Sequence, residues 1–84
     1  MSEDIEKTLS TYIAEKILKQ SRRVIRPEEP LISSGLIDSF HLVDLALFVE
    51  ETFRVKLDDT ELNAQTFDTL ARLAEIIRTR QGRQ

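Results

Sequence analysis

Few side chains in this 84-residue sequence could do covalent chemistry on their own. There is one histidine, His41, and no cysteine, so thiol nucleophiles, disulfides and cysteine-ligated metals are ruled out. Ser39 and His41 make the one formal nucleophile–base pair. They stand two positions apart at a helix start, however, and residues at i and i+2 do not face each other. Nothing nearby suggests a third member or an oxyanion hole. His41 therefore reads as an exposed contact residue. Asp58, Asp59 and Glu61 lack the spacing and the glycine of a calcium loop and read as a solvated acidic turn.

Ser39 is set apart by its surroundings. It follows Gly35-Leu36-Ile37-Asp38 and opens an apolar-periodic stretch, where a loop meets a helix. A helix N-terminus offers unpaired N–H groups and positive dipole potential, and both favour a phosphate. A phosphodiester on this hydroxyl would be tolerated, and a modifying enzyme could reach it. The simpler reading is that Ser39 only caps the helix, because serine and aspartate are both preferred N-cap types.

The elements that must position these residues follow from periodicity. Ile5, Leu9, Tyr12, Ile13 and Ile17 recur at helical spacing and predict a first helix over about 3–20, with Ser2 as its cap. Both prolines and Gly35 fall in 21–37, which reads as a long ordered loop packed down by Leu31, Ile32, Leu36 and Ile37. A second helix is expected over 39–53. At 100° per residue, Leu42, Leu45, Ala46, Val49 and Phe53 share its core face. Phe40, Val43 and Leu47 lie on another side, beside Asp44 and Glu51, and a helix serving only a core does not need them. Burial of Val43 beneath the long loop is the competing reading. A short helix over about 58–63 and a last helix over 67–79, capped by Thr66 or Asp68, complete the set. The inner stripe of that last helix is expected to hold Phe67, Leu70, Ala71, Ala74 and Ile77, with Leu73 beside them, and residues 80–84 to form a flexible tail. The fold class is all-α: one domain over 1–84, with three main helices, one short helix and a long first connection.

Charge narrows the partners. The net charge is −3, yet from Asp38 to Glu61 there are seven acids (Asp38, Asp44, Glu50, Glu51, Asp58, Asp59, Glu61) against two bases (Arg54, Lys56). An acidic middle repels nucleic-acid phosphates and suits a partner with a basic face. A helical DNA-binding domain would need a basic recognition helix, so no nucleic-acid role is expected. The start, Met1 to Lys7, is unlike a signal peptide, and no apolar run approaches membrane-spanning length. A cytoplasmic monomer without membrane association is expected.

Gly35-Leu36-Ile37-Asp38-Ser39-Phe40 resembles the phosphopantetheine attachment motif of acyl carrier and peptidyl carrier proteins. Val43 to Phe53 resembles that family's second helix, Asp58 to Leu62 its third-helix region, and Thr66 to Leu70 the start of its last helix. Spacing is kept from about Leu31 to Ile77, while the first helix matches only in length and pattern. Asp-Ser alone is a weak motif; with matching helices over most of the chain it is a strong one.

The resemblance implies a free-standing carrier folded as an acyl-carrier-like bundle. Ser39 would receive 4′-phosphopantetheine from coenzyme A through a magnesium-dependent phosphopantetheinyl transferase. Asp38 would assist that recognition or metal placement, or serve as a cap only. The arm would hold an acyl or aminoacyl thioester for a loading ligase and downstream biosynthetic enzymes, and tethering would raise the cargo's effective concentration. The carrier itself would not be an enzyme. Phe40, His41, Val43 and Leu47 would meet partners, with Asp44 and Glu51 as a charged rim. Phe40, His41, Leu42 and Arg54 depart from fatty-acid carriers, which usually have leucine, an acid, a small polar residue and glycine there. With the modest net charge, these departures point to a dedicated secondary-metabolite, polyketide or peptide pathway. The alternative is a helical protein-interaction module without a prosthetic group.

Overall fold

Three helices form where the periodicity places apolar residues on one side of the chain. The structure, a computed structural model, describes residues 2–20 and 22–81. Helix α1 (Ser2–Tyr12) runs on into a π-helical stretch, Ile13–Ile17, then the long loop leads to α2 (Ser39–Phe53), a 3₁₀ turn (Asp59–Glu61) and α3 (Leu70–Gln81). No strand occurs among the described residues. The side-chain cap expected of Ser2 and the fraying expected of residues 82–84 lie outside the described residues.

The first helix is shorter than its periodicity suggests. The Leu18 N–H bonds the Ile13 carbonyl at 2.9 Å, a five-residue step that widens the last turns. This wider turn carries Ile13, Ala14 and Ile17 into the core together. Lys19 then turns left-handed (φ 58°), so 18–20 are not helical and the loop begins there.

The loop is ordered by its own apolar side chains, as expected. Leu31 and Ile37 are fully buried, and Ile32 and Leu36 pack against the core. Ile25 is buried with them. Gly35 closes the tight turn from Ile32 (Gly35 N–H to Ile32 O, 3.0 Å) at φ 81°, a backbone conformation that other residues adopt only at a cost.

The last helix starts at Leu70, three residues later than the sequence suggests. Thr69, rather than Thr66 or Asp68, caps it: its Oγ1 accepts the Arg72 N–H at 3.2 Å and its carbonyl accepts the Leu73 N–H at 3.1 Å. Asp68 is occupied elsewhere, and Thr66 belongs to a turn closed by Asn63. Of the expected inner stripe, Phe67, Leu70, Leu73, Ala74 and Ile77 are buried, but Ala71 is exposed. With Phe67 outside the helix, the buried face is the set Leu70, Leu73, Ala74 and Ile77 at i, i+3, i+4 and i+7, and Ala71 lies off it.

Arg80 and Gln81 also depart from expectation: they belong to α3 rather than to a loose tail. The Arg80 guanidinium pairs with the Glu61 carboxylate through both nitrogens and bonds the Lys56 carbonyl at 3.1 Å. That holds the end of α3 against the 3₁₀ turn. At the turn's start, Glu61 Oε1 accepts the Asp58 N–H at 2.9 Å in a capping box, so Glu61 serves two elements at once.

Helix α1 packs against α3, and α2 adds Leu42, Leu45 and Val49 to the same core. Tyr12 of α1 stacks on Phe48 of α2, centroids 4.0 Å apart, and Phe48 meets Phe53 edge-on at 6.3 Å. The Cα radius of gyration is 11.6 Å, against about 12 Å for a compact chain of this length. Among the described residues, no helix is long and apolar enough to cross a membrane.

Candidate functional site

The site begins at Asp38. Its backbone is extended (φ −89°, ψ 175°), and its Oδ1 accepts the His41 N–H at 2.9 Å. Its carbonyl accepts the Leu42 N–H at 3.1 Å. Asp38 is thus the N-cap, and Ser39 is the first residue of the helix proper. The capping role open to either residue falls to Asp38 alone. Ser39 is exposed, and its hydroxyl bonds no described residue.

His41 Nδ1 lies 2.9 Å from the same Asp38 Oδ1. The histidine is therefore tied to the cap, not to Ser39, and no Ser–His pair forms. The His41 amide, then the imidazole's charge and its hydrogen bond, hold the Asp38 carboxyl below its ordinary value despite some opposing desolvation. The Phe40 amide adds to this, and Asp38 is an anion at neutral pH.

From this corner an apolar strip runs along the outer face of α2. Phe40 is 82% exposed, Val43 50% and Leu47 55%. The loop does not cover Val43. Residues three and four apart share a helix face, so the three side chains form one continuous surface. The core residues of the same helix, Leu42, Leu45 and Val49, point the opposite way. Ala46 and Phe53 are only partly buried.

Acids flank the strip: Asp44, Glu50 and Glu51 are all exposed. Their field is felt at Tyr12, whose hydroxyl donates to the Asp44 carbonyl at 3.3 Å. Burial, then Asp44, then Glu51, pushes the Tyr12 phenol up. Beyond the end of α2, Arg54 and Lys56 join Glu50 and Glu51 around a shallow depression. A groove of about 600 Å³ between α1 and the loop is lined by Ala14, Ile25 and Leu70 among others and includes none of the site residues.

No family model, curated protein or solved structure matches this chain.

Of the residues singled out in the sequence, the structure brings Asp38, Ser39, Phe40 and His41 together at the start of α2. Val43, Asp44, Leu47 and Glu51 follow along its exposed side. Among the described residues no three histidines, aspartates or glutamates gather as a metal site. One role escaped sequence reasoning: Asp68, expected only as a possible cap of the last helix, anchors the loop that leads into α2. Its Oδ1 accepts the N–H groups of Ile32 (2.7 Å) and Ser33 (2.9 Å), and its Oδ2 accepts the Ser33 hydroxyl. The Ser33 hydroxyl, the Ser33 amide and the Ile32 and Leu31 amides hold the Asp68 carboxyl low against desolvation. No spacing rule could reveal this, because the partners are 35 and 36 positions away.

Proposed function

We propose that this chain is a non-catalytic carrier protein that bears 4′-phosphopantetheine on Ser39 and presents a thioester-bound acyl or aminoacyl group to partner enzymes. The observation that carries this reading is the division of labour at the start of α2. Asp38 performs the cap and leaves the Ser39 hydroxyl exposed and unengaged beside an uncovered apolar strip. A serine needed only for the helix would be capping it.

The residues present suit the group. Its phosphodiester would sit at a helix N-terminus, where dipole and amides favour negative charge. The anionic Asp38 beside it suits the magnesium that such a transfer uses. In that transfer Ser39 Oγ attacks the β-phosphorus of coenzyme A. The bond to the adenosine bisphosphate leaving group breaks, and the hydroxyl proton passes to a base on the transferase. When bound, the arm supplies the thiol that this cysteine-free chain lacks.

Phe40, Val43 and Leu47, with His41 at one end and Asp44 and Glu51 at the rim, form the surface that partners would meet. Its acidity suits a basic partner face. The loading ligase and downstream biosynthetic enzymes would use this surface in a dedicated pathway within the cytoplasm. The order of helices suits a carrier-type bundle, in which the 3₁₀ turn stands for the short helix.

Intact-mass spectrometry tests the reading. The protein is incubated with coenzyme A, magnesium and a broad-specificity phosphopantetheinyl transferase, with Ser39→Ala as control. A gain of one phosphopantetheine, absent in the variant, is expected. No gain, with a transferase that loads another carrier in parallel, would leave a helical interaction module using the same exposed strip.

A further inference from the structure

We infer that Asp68, at the foot of α3, is a positioning residue for Ser39, acting through the loop that leads into α2. The link is a continuous set of bonds. The Asp68 carboxylate accepts from the Ile32 and Ser33 amides and from the Ser33 hydroxyl. The Asp68 carbonyl accepts the Leu31 N–H at 2.6 Å. The Leu31 carbonyl in turn accepts the Ile37 N–H at 3.0 Å, and Ile37 is joined directly to Asp38 and Ser39. One aspartate thus holds both ends of the 31–37 turn, one directly and one through Leu31.

The rest of the turn relies on this anchor. Ser34 Oγ donates to the Pro30 carbonyl at 2.7 Å and accepts the Leu36 N–H at 3.3 Å, bonds that lie within the loop and cannot fix it to the helices. Buried Leu31 and Ile37 give the turn its apolar footing, but apolar contact is non-directional. The charge-assisted bonds to Asp68 set its orientation, and such bonds are short and directional. A second tie, the Ala71 N–H to the Pro27 carbonyl at 3.0 Å, secures the loop upstream but does not reach the turn itself. The start of α2 is therefore registered against the start of α3 through one residue, whose carboxylate orients the turn and whose carbonyl holds Leu31.

The consequence for Ser39 rests on the carrier reading; the positional link does not. The test compares wild type, Asp68→Ala, Asp68→Asn, Asp68→Glu and Ser33→Ala. Two readouts are used: amide exchange and chemical shifts by NMR, and the transferase rate as a function of carrier concentration. In folded Asp68→Ala, Ile32 and Ser33 lose protection and the Ser39 amide shift moves. Loading at low carrier concentration drops about tenfold or more, the scale on which small misplacements lower rates. The loss is expected mainly in KM for the carrier. Asp68→Asn, whose amide oxygen still accepts both N–H groups, restores most of the rate, and Ser33→Ala loses little.

A folded Asp68→Ala with an unprotected loop but a wild-type loading rate would overturn the inference. Where Asp68→Ala does not fold, Asp68→Glu decides, because the longer side chain keeps the charge but displaces the carboxylate from the Ile32 and Ser33 amides. Lost Ser33 protection with a shifted Ser39 amide and slower loading supports the link, and a wild-type Ser39 shift and loading rate overturns it. If wild type itself is not loaded, the carrier reading fails. The Ser39 shift alone then judges the positional link.

Discussion

The side chain of Asp38 accepts the backbone N–H of His41 at 2.9 Å, and this bond, not one from Ser39, closes the first turn of α2. The two neighbours should therefore respond differently to the same change. Asp38→Ala removes the cap and should lower the thermal midpoint by several degrees. Ser39→Ala should leave the midpoint within error while abolishing phosphopantetheine loading. Circular-dichroism melts of both variants, alongside intact masses, check this. A loss of stability in Ser39→Ala equal to that in Asp38→Ala would return the capping role to the serine.

Leu45 and Leu47 are two residues apart and face opposite environments, 1% and 55% exposed. Leu45→Ala leaves a cavity in the core and should cost about 2–5 kcal/mol. Leu47→Ala, and likewise Phe40→Ala, should stay within about 0.5 kcal/mol of wild type. Their cost should appear instead in the rate at which partner enzymes use the loaded carrier. Urea unfolding separates the two classes of residue.

Arg54 ends α2 in a left-handed conformation (φ 60°, ψ 32°), with its N–H on the Glu50 carbonyl at 3.0 Å. The carrier resemblance puts glycine at this position, and the backbone shows why glycine suits it. Arg54→Gly should stabilise the fold by about 0.5–1 kcal/mol by relieving the left-handed penalty. Arg54→Ala removes the same charge without that relief and should gain nothing. Equal unfolding midpoints for the two variants would count against the backbone explanation.

Acid should loosen the two tertiary clamps. The Arg80 hydrogen bonds, then the Asp58 amide, hold Glu61 below its ordinary 4.5, and the Ser33 hydroxyl, then the loop amides, hold Asp68 below 3.8. A carboxyl held low when folded binds its proton more tightly when unfolded. Its contribution is complete above the unfolded value and drains as pH falls through that value to the lower folded one. Unfolding midpoints should be flat from neutral pH to about 5 and then decline. Asp68→Asn should make the decline shallower, and Glu61→Gln should do the same while loosening the end of α3. The Glu61–Arg80 pair is partly exposed, so its worth is about 0.5–1 kcal/mol and should shrink in high salt. A decline of unchanged slope in both variants would move the acid sensitivity to other groups.

Much of the site was legible from local pattern. Helix α2 runs over 39–53 as its periodicity required, and Phe40, Val43 and Leu47 are exposed where the 100° step put them on a second face. The loop's apolar residues were legible for the same reason, because their burial follows from their own side chains. The wider turns at the end of α1, the late start of α3 and the outward Ala71 were not.

The amino-acid sequence by itself determined the all-helical class, the two faces of α2 and the place of Ser39 at its start. These depend on neighbours within a turn or two, whose spacing is written along the chain. Tertiary structure decided why Asp68 does not cap α3 and how Glu61 holds Arg80. A carboxylate has a limited set of lone pairs, and donors brought near by folding compete for them with those nearby in sequence. The Ser33 and Ile32 amides won Asp68 from α3, and that outcome exists only once the loop has packed.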